Sequence, residues 1–250
     1  MLIEFCLPVY NEEKILEANA LILLNYLKEK RLDYDWRIVI VVNGSSDNSE
    51  KIAQELFSKY PQNIKSFILK IPGKGQALKK YLLLSKADFF CYMDIDLAAS
   101  LDDIEKLISP LIAKKAHLTI GSRIMPGSEI KRSFIRELSS QGYNFLTRLI
   151  LGHKFSDSQC GFKAIERNSF LRVSKFLKDS NWFFDTELIF WINKNNYLVK
   201  EIPVNWSENR YNERKSKVKM FRDSFRFFVN LIKLKIRYNK ALKSGLTKDN

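Results

Sequence analysis

The sequence predicts an α/β fold, a doubly wound and mostly parallel sheet flanked by helices. Two patterns carry that reading. Short apolar runs rich in β-branched residues alternate with stretches of helical periodicity, as successive βαβ units require. Each early run then stops at Pro, Gly, Asn or Asp, residues that turn a strand. With 250 residues, 46% of them hydrophobic, the chain also has the material to cover both faces of such a sheet.

The elements follow in order. LIEFCL is the first strand, with a helix from about Glu13; WRIVIVV is the second, with a helix from about Asn48. IKSFIL and a helix after Gly75 come next, then DFFCYM with a helix from about Leu101, then the strand HLTIGS. Beyond Gly142, YNFLTRLIL reads as helix, CGFKAI as a short strand, FDTELIFWI as helix and YLVKEIPVNW as strand. No internal repeat, low-complexity tract or linker interrupts this body.

The net charge of +14 is concentrated at one end: from Trp206 onward there are 13 Lys and Arg against 4 Asp and Glu. Such a tail attracts anionic lipid, nucleic acid or phosphorylated substrates. Cys6, Cys91 and Cys160 form no CxxC pair, and two of them sit inside apolar runs, which points to buried thiols in a reducing compartment. The opening apolar run is closed by Pro8 and then acids, and no apolar stretch reaches the length of a bilayer span. The expectation is a cytoplasmic protein.

In open parallel sheets ligands bind beyond the carboxyl ends of the strands. Here those ends carry Pro8-Val9-Tyr10-Asn11-Glu12-Glu13, Asn43-Gly44-Ser45-Ser46-Asp47, Pro72-Gly73-Lys74-Gly75 and Asp94-Ile95-Asp96. Two readings of each stand side by side. Asp94 and Asp96 are either hard-oxygen ligands for Mg²⁺ or Mn²⁺ shared with substrate phosphates, or a strand end and a helix cap. The glycine turn either brings Lys74 to a phosphate or is only a turn, since it has neither Walker A nor dinucleotide spacing. Asn43 either meets a base with its amide or belongs to a turn whose Asp47 or Asn48 caps a helix.

These segments, with GSR at 121–123, DSQCGFKAI at 157–165, FDTEL at 184–188, and IPVNW and SKV beyond, resemble glycosyltransferase family 2 in the family's own order across roughly the first 220 residues. The nearest likeness is to its dolichyl-phosphate β-glucosyltransferase and polyprenyl-phosphate glycosyltransferase branch. The resemblance implies a nucleotide-sugar-binding, GT-A-like fold in residues 1–215, with 216–250 as a basic amphipathic helix and tail. It implies that Pro8, Tyr10, Glu12, Asn43, Ser45 and Lys74 serve the nucleotide sugar, and that Asp94 and Asp96 hold Mg²⁺ or Mn²⁺ on its diphosphate. A metal there neutralises the leaving nucleoside diphosphate.

On the acceptor side the resemblance implies Arg123 and Arg136 as binders of a lipid phosphate, a task suited to the guanidinium fork. It implies Asp157 near the reaction centre. The implied reaction is inverting: a polyprenyl or dolichyl phosphate oxygen attacks the anomeric carbon of a hexose, glucose carried by UDP. A phosphate monoester has a second pKa of about 6, so its oxygen needs little base assistance and Asp157 orients more than it abstracts. A hydroxyl acceptor would need a base, and Asp157 would then be the first candidate. Where the family commonly has two acids before the Gly-Ser of its second motif, this chain has Val42 and Asn43. Ala98 replaces a third metal-side ligand of some polyprenyl-phosphate mannosyltransferases, which leans toward glucose. His117 and His153 match no family motif.

In the tail, Phe221, Phe225, Phe228, Ile232 and Ile236 recur at helical spacing, with Arg222, Arg226, Lys233 and Arg237 off that row. Such a helix suits the headgroup region of an anionic membrane, or packs on the body, or does both from opposite sides. Arg210, Arg214 and Lys217 just before it are candidates for a loop closing over diphosphate or acceptor phosphate. The expected protein is therefore peripheral at the cytoplasmic face of a membrane, held there by its tail or by a membrane-protein partner. Competing readings are a hydroxyl or glycan acceptor, GDP-mannose as donor, and a non-catalytic basic binding protein. Nucleic acid is not an expected partner, because the tail has no reading motif and its aromatics line a helix.

Overall fold

A computed structural model describes residues 1–131, 134–207 and 220–245, with side chains for all of these except 134–136, 139 and 220–225. In chain order the strands are β1 (Leu2–Val9), β2 (Asp35–Asn43), β3 (Ile64–Leu69), β4 (Phe89–Tyr92), β5 (Leu118–Ser122), β6 (Glu129–Lys131), β7 (Lys163–Glu166), β8 (Val199–Pro203) and β9 (Asn205–Ser207). The helices are α1 (Leu16–Glu29), α2 (Ser49–Lys59), α3 (Lys74–Leu84), α4 (Ile104–Ile112), α5 (Phe134–Leu151), α6 (Arg167–Val173), α7 (Phe184–Lys194) and α8 (Met220–Lys243). Seven strands form one sheet in the order β3-β2-β1-β4-β7-β5-β8, and β6 pairs with β9.

β1 to β4 and β5 with β8 are parallel, as the βαβ pattern requires, while β7 enters antiparallel between β4 and β5. Strand alternation divides the core. Ile3, Phe5, Leu7, Ile38, Ile40 and Val42 face α1, α2 and α4, whereas Cys6, Val39 and Val41 face α3, α7 and α8. All three cysteines are free and buried.

Three boundaries differ from the sequence expectation. α5 begins at Phe134 rather than after Gly142, because Gly142 lies where nothing crowds it and the helix runs through. YLVKEIPVNW splits into β8 and β9, and α6 was not foreseen. The proposed domain boundary at 215/216 falls outside the described residues, yet α8 shares the core of the body. Leu231, Leu234, Tyr238 and Ala241 are buried, with the Tyr238 ring 5.2 Å from that of Phe190. Burying each leucine contributes about 2 kcal/mol. Of the row read from the sequence as the apolar face, Phe228, Ile232 and Ile236 point outward, and a second row packs on the body. A helix with two apolar rows can pack only one against the body. Among the described residues no helix is long and apolar enough to cross a membrane.

Candidate active site

The chain order reverses between β1 and β4, so the loops after these strands diverge and open a crevice at their carboxyl ends. The loops around it are stapled together by side chains. Asn43 is buried; its Nδ2 donates to the Val9 carbonyl at 2.7 Å and its Oδ1 accepts from the Gly73 amide at 3.1 Å. It joins the loop after β1 to the loop after β3, which is a different task from the base contact that the resemblance implies. A side chain able to donate and accept at once suits a carbonyl and an N–H from two segments. Ser45 likewise accepts from the Asn11 amide at 3.0 Å, and Ser49 from the Glu12 amide at 2.9 Å. Pro8 and Glu12 are buried beside these contacts, and the Tyr10 ring is exposed.

Asp94 and Asp96 lie in the turn that ends β4, both half-buried. The Leu97 amide donates to the Asp94 carbonyl, and the Ala98 amide to Asp96 Oδ1 at 3.2 Å. Leu97 sits at φ +50°, a left-handed conformation that costs a leucine roughly 1 kcal/mol or more. Gly161 packs directly on Asp94: a Cβ there would stand 2.1 Å from Asp94 Oδ2. Only glycine fits, which explains that residue in DSQCGFK.

Lys74 opens α3 and is fixed by its neighbours. A Cβ on Gly73, whose φ is +149°, would meet the Ser180 carbonyl at 2.5 Å, and one on Gly75 would meet Phe184 Cβ at the same distance. From this clamped turn Lys74 Nζ reaches Asp94 Oδ1 at 2.8 Å and Asp185 Oδ2 at 3.8 Å, above the Trp182 ring. Burial would lower its pKa, but Asp94, Asp185 and Asp96 together raise it, so the ammonium stays charged. Asp185 Oδ1 accepts from Tyr92 Oη at 2.7 Å and from Lys163 Nζ at 2.9 Å. The register pairs Tyr92 with Lys163, which puts both side chains on one face of the sheet below Asp185. Burial would raise the Asp185 pKa, and Lys163 and Lys74 outweigh it and hold it low.

Arg123 and Asp157 form a second buried pair. Arg123 Nε and Nη2 donate to the two carboxylate oxygens at 2.7 and 2.9 Å, and the Arg123 amide adds a third bond at 3.1 Å. Asp157 is fully buried; burial alone would raise its pKa, but the arginine brings it down to about 2. The implied lipid-phosphate ligand Arg123 is thus spent on the implied reaction-centre acid, because a buried carboxylate requires a counter-ion. The two stand together as one unit. Glu201 Oε1 holds the adjoining loop by accepting from the Ser156 and Asp157 amides. Arg136 lies in the first turn of α5 with its side chain outside the described residues, as Arg210, Arg214 and Lys217 are altogether.

Lys163, Asp185, Tyr92 and Trp182 were not singled out from the sequence. A signal existed for two of them: Lys163 and Asp185 are opposite charges, one between Phe162 and Ala164 and the other directly after Phe183-Phe184. As for a metal, Asp94 and Asp96 are hard-oxygen donors, and Asp96 is close enough to act on Lys74. Among the described residues no group of three or more His, Cys, Asp or Glu converges. The pair fits a divalent cation whose remaining ligands come from substrate phosphate and water, the usual habit of Mg²⁺ and Mn²⁺.

Comparison with known proteins agrees with this architecture. The family model described as glycosyl transferase family 2 matches residues 4–173. A dolichyl-phosphate beta-glucosyltransferase of Dictyostelium discoideum is 29% identical over 242 residues, which is 92% of this chain and 73% of that protein. The protein of that name from Saccharomyces cerevisiae is 30% identical, over 93% of this chain and 73% of its own. Among solved structures, glucosyl-3-phosphoglycerate synthase from Mycobacterium tuberculosis, in complex with Mn²⁺, UDP-glucose and phosphoglyceric acid, matches with a TM-score of 0.65 at 16% identity, over 93% of this chain and 79% of that one. At that identity the likeness speaks for the fold alone.

Proposed function

Because the chain belongs to glycosyl transferase family 2, we propose that it moves glucose from UDP-glucose to a polyprenyl phosphate, with inversion, and works as a peripheral protein on the cytoplasmic side of a membrane. The observation that carries the choice of acceptor is the state of Asp157. Its two oxygens are engaged by Arg123 and its pKa stands at about 2, so it is a poor proton acceptor. Asp185 is held low by two lysines. A hydroxyl acceptor would need a base of higher pKa, whereas a phosphate monoester arrives largely deprotonated. The names of the curated relatives support the same acceptor.

Each residue then has a task. Asp94 and Asp96 hold a divalent cation, whose chemistry is to neutralise the departing diphosphate. Gly161 leaves room for Asp94, and the Asn43 staple fixes the loops that flank the nucleotide. The Arg123–Asp157 unit sets the wall on the acceptor side, and its partner loop is braced by Glu201. Arg136, Arg210, Arg214 and Lys217 are the further cations proposed for the acceptor phosphate or the closing loop.

The outward faces of α5 and α8 support a membrane as the place of work. α5 buries the polar Asn144 and Thr147 together with Leu151, and leaves several large apolar side chains outside. Asn144 Oδ1 accepts from the Ser158 amide, and Tyr143 and Thr186 share a hydrogen bond, so its inner face touches both acidic segments of the site. Leu138, Phe145 and Leu149 on its other face are exposed, as are Phe228, Ile232 and Ile236 on α8. This apolar surface with basic neighbours suits an anionic headgroup region. The buried thiols agree with a reducing compartment.

The deciding experiment offers labelled UDP-glucose and, in parallel, GDP-mannose to a short polyprenyl phosphate, with Mn²⁺ or EDTA, using the wild type and Asp96→Ala. A lipid-phosphate sugar formed from UDP-glucose only with metal, and lost in the variant, is the expected result. Transfer to a hydroxyl acceptor but not to the lipid phosphate would overturn it.

A further inference from the structure

The protein carries a cation of its own at the carboxylate that the metal reading needs. Lys74 Nζ is 2.8 Å from Asp94 Oδ1, its side chain is only 7% exposed, and a second carboxylate, Asp185, is 3.8 Å away. The backbone that presents it is not free to adapt, since Gly73 and Gly75 are packed against Ser180 and Phe184, and Asn43 grips the Gly73 amide.

We propose that Lys74 is a resident stand-in for the metal: it neutralises Asp94 while the site is empty, and gives Asp94 up to a divalent cation only when a nucleoside diphosphate arrives to receive the ammonium. The inference rests on the metal part of the function proposed above. Three features on the page lead to it. An ammonium in hydrogen-bond contact with a carboxylate oxygen competes with a cation for the same lone pairs. A buried ammonium with no partner is costly, so the displaced lysine needs an anion at once. Asp185 is not sufficient by itself, because Lys163 already pairs with its charge and its Oδ2 stands 3.8 Å from Lys74 Nζ, outside hydrogen-bonding distance. The diphosphate is the anion that enters together with the metal, and Asp185 keeps the lysine within reach of both partners. The exchange breaks no covalent bond and moves no proton; one cation replaces another on Asp94, and the first takes a phosphate oxygen. Metal and nucleotide binding are thereby coupled, and Mn²⁺ alone binds weakly.

The test measures Mn²⁺ binding by electron paramagnetic resonance and UDP binding by calorimetry, on the wild type, Lys74→Gln and Lys74→Arg. In Lys74→Gln, Mn²⁺ alone is expected to bind on the order of tenfold tighter, while UDP in the presence of Mn²⁺ binds on the order of tenfold weaker. A lysine with a merely structural role would weaken both together. Lys74→Arg keeps the charge and is expected to keep the weak binding of Mn²⁺ alone, which preserves the test if the glutamine variant does not fold. Unchanged or weaker Mn²⁺ binding in Lys74→Gln, or tightened Mn²⁺ binding in Lys74→Arg, overturns the proposal. So does a wild type that binds no Mn²⁺ even with UDP, an outcome that also removes the metal from the proposed function. The opposite shifts in Lys74→Gln without transfer to a polyprenyl phosphate would sustain the exchange and sink the acceptor.

Discussion

Gly161→Ala tests the site at its tightest point. The added Cβ would lie 2.1 Å from Asp94 Oδ2, 2.6 Å from its Cγ and 2.9 Å from Oδ1. An ordinary carbon–oxygen contact is about 3.3 Å, so the carboxylate must withdraw by roughly 1 Å. The Lys74–Asp94 contact, now 2.8 Å, then opens beyond hydrogen-bonding distance. A charge-assisted hydrogen bond contributes about 1.5–3 kcal/mol, and the Asp94 side chain is 27% exposed, so the lower end applies to stability. At about 1.5 kcal/mol that corresponds to a fall in Tm of about 3–6 °C. Function should suffer more, because a displacement of about 1 Å at a reacting centre costs on the order of a hundredfold in rate. Calorimetry of UDP binding with Mn²⁺, beside thermal unfolding, separates the two effects. An alanine variant that binds UDP with Mn²⁺ as the wild type does would refute the placement of Asp94 against Gly161.

Other parts of the structure lead to equally concrete expectations. Asp157→Asn leaves Arg123 buried without its counter-ion and should cost about 3–5 kcal/mol in urea unfolding, whereas Arg123→Met combined with Asp157→Leu should recover most of it. A loss near zero for the single variant would mean that the pair is not buried as described. His153 accepts from the Phe155 amide and is buried; burial and then Arg148 lower its pKa to about 4. The folded protein thus binds that proton less readily than the unfolded chain, whose histidine titrates at about 6.5. The contribution is complete above pH of about 6.5 and is lost as pH falls toward 4, by about 3 kcal/mol. Thermal unfolding between pH 4 and 7 should show this slope, and His153→Gln should flatten it. Below pH 4 the protonation of Asp157, with its pKa of about 2, continues the loss in the same direction. On α8, Leu234→Ala should destabilise by about 2–5 kcal/mol, while Ile232→Asp should leave Tm unchanged and reduce sedimentation with anionic vesicles. Equal vesicle binding by the Ile232 variant would remove α8 from the membrane face.

Much of the scaffold was legible because local pattern and tertiary structure agree there. IKSFIL is β3 residue for residue, and the helix expected from about Asn48 starts at Ser49. β7 shows where legibility stops: four residues long and antiparallel, it owes its place between β4 and β5 to pairing, which no local period encodes. On α8 the sequence offers two apolar rows, and only the shape of the body decides that Leu231, Leu234 and Tyr238 go inside. Asn43 shows a third limit. Its residue type announces donor and acceptor capacity, but not whether a ligand or two loops will use it.

The acids of the site explain the remaining gap, and with it how the site must be filled. Asp94, one half of the acid pair proposed for a metal, has its charge balanced by Lys74, 20 residues earlier in the chain. Asp157, which the family resemblance sets near the reaction centre, has both of its oxygens engaged by Arg123, 34 residues earlier. Asp185 was passed over, yet it is the junction of Lys74, Lys163 and Tyr92. Spacing along the sequence shows which charges exist, whereas the fold decides which of them cancel. A site whose carboxylates already have partners resists a bare divalent cation, since every new positive charge must first displace an old one. Under the proposed exchange it accepts a cation that arrives with a diphosphate, because that ligand gives the displaced ammonium somewhere to go. If Lys74 yields Asp94 as proposed, the same balance that hides the site from a reading of isolated acids favours a metal-bound nucleotide over either component alone.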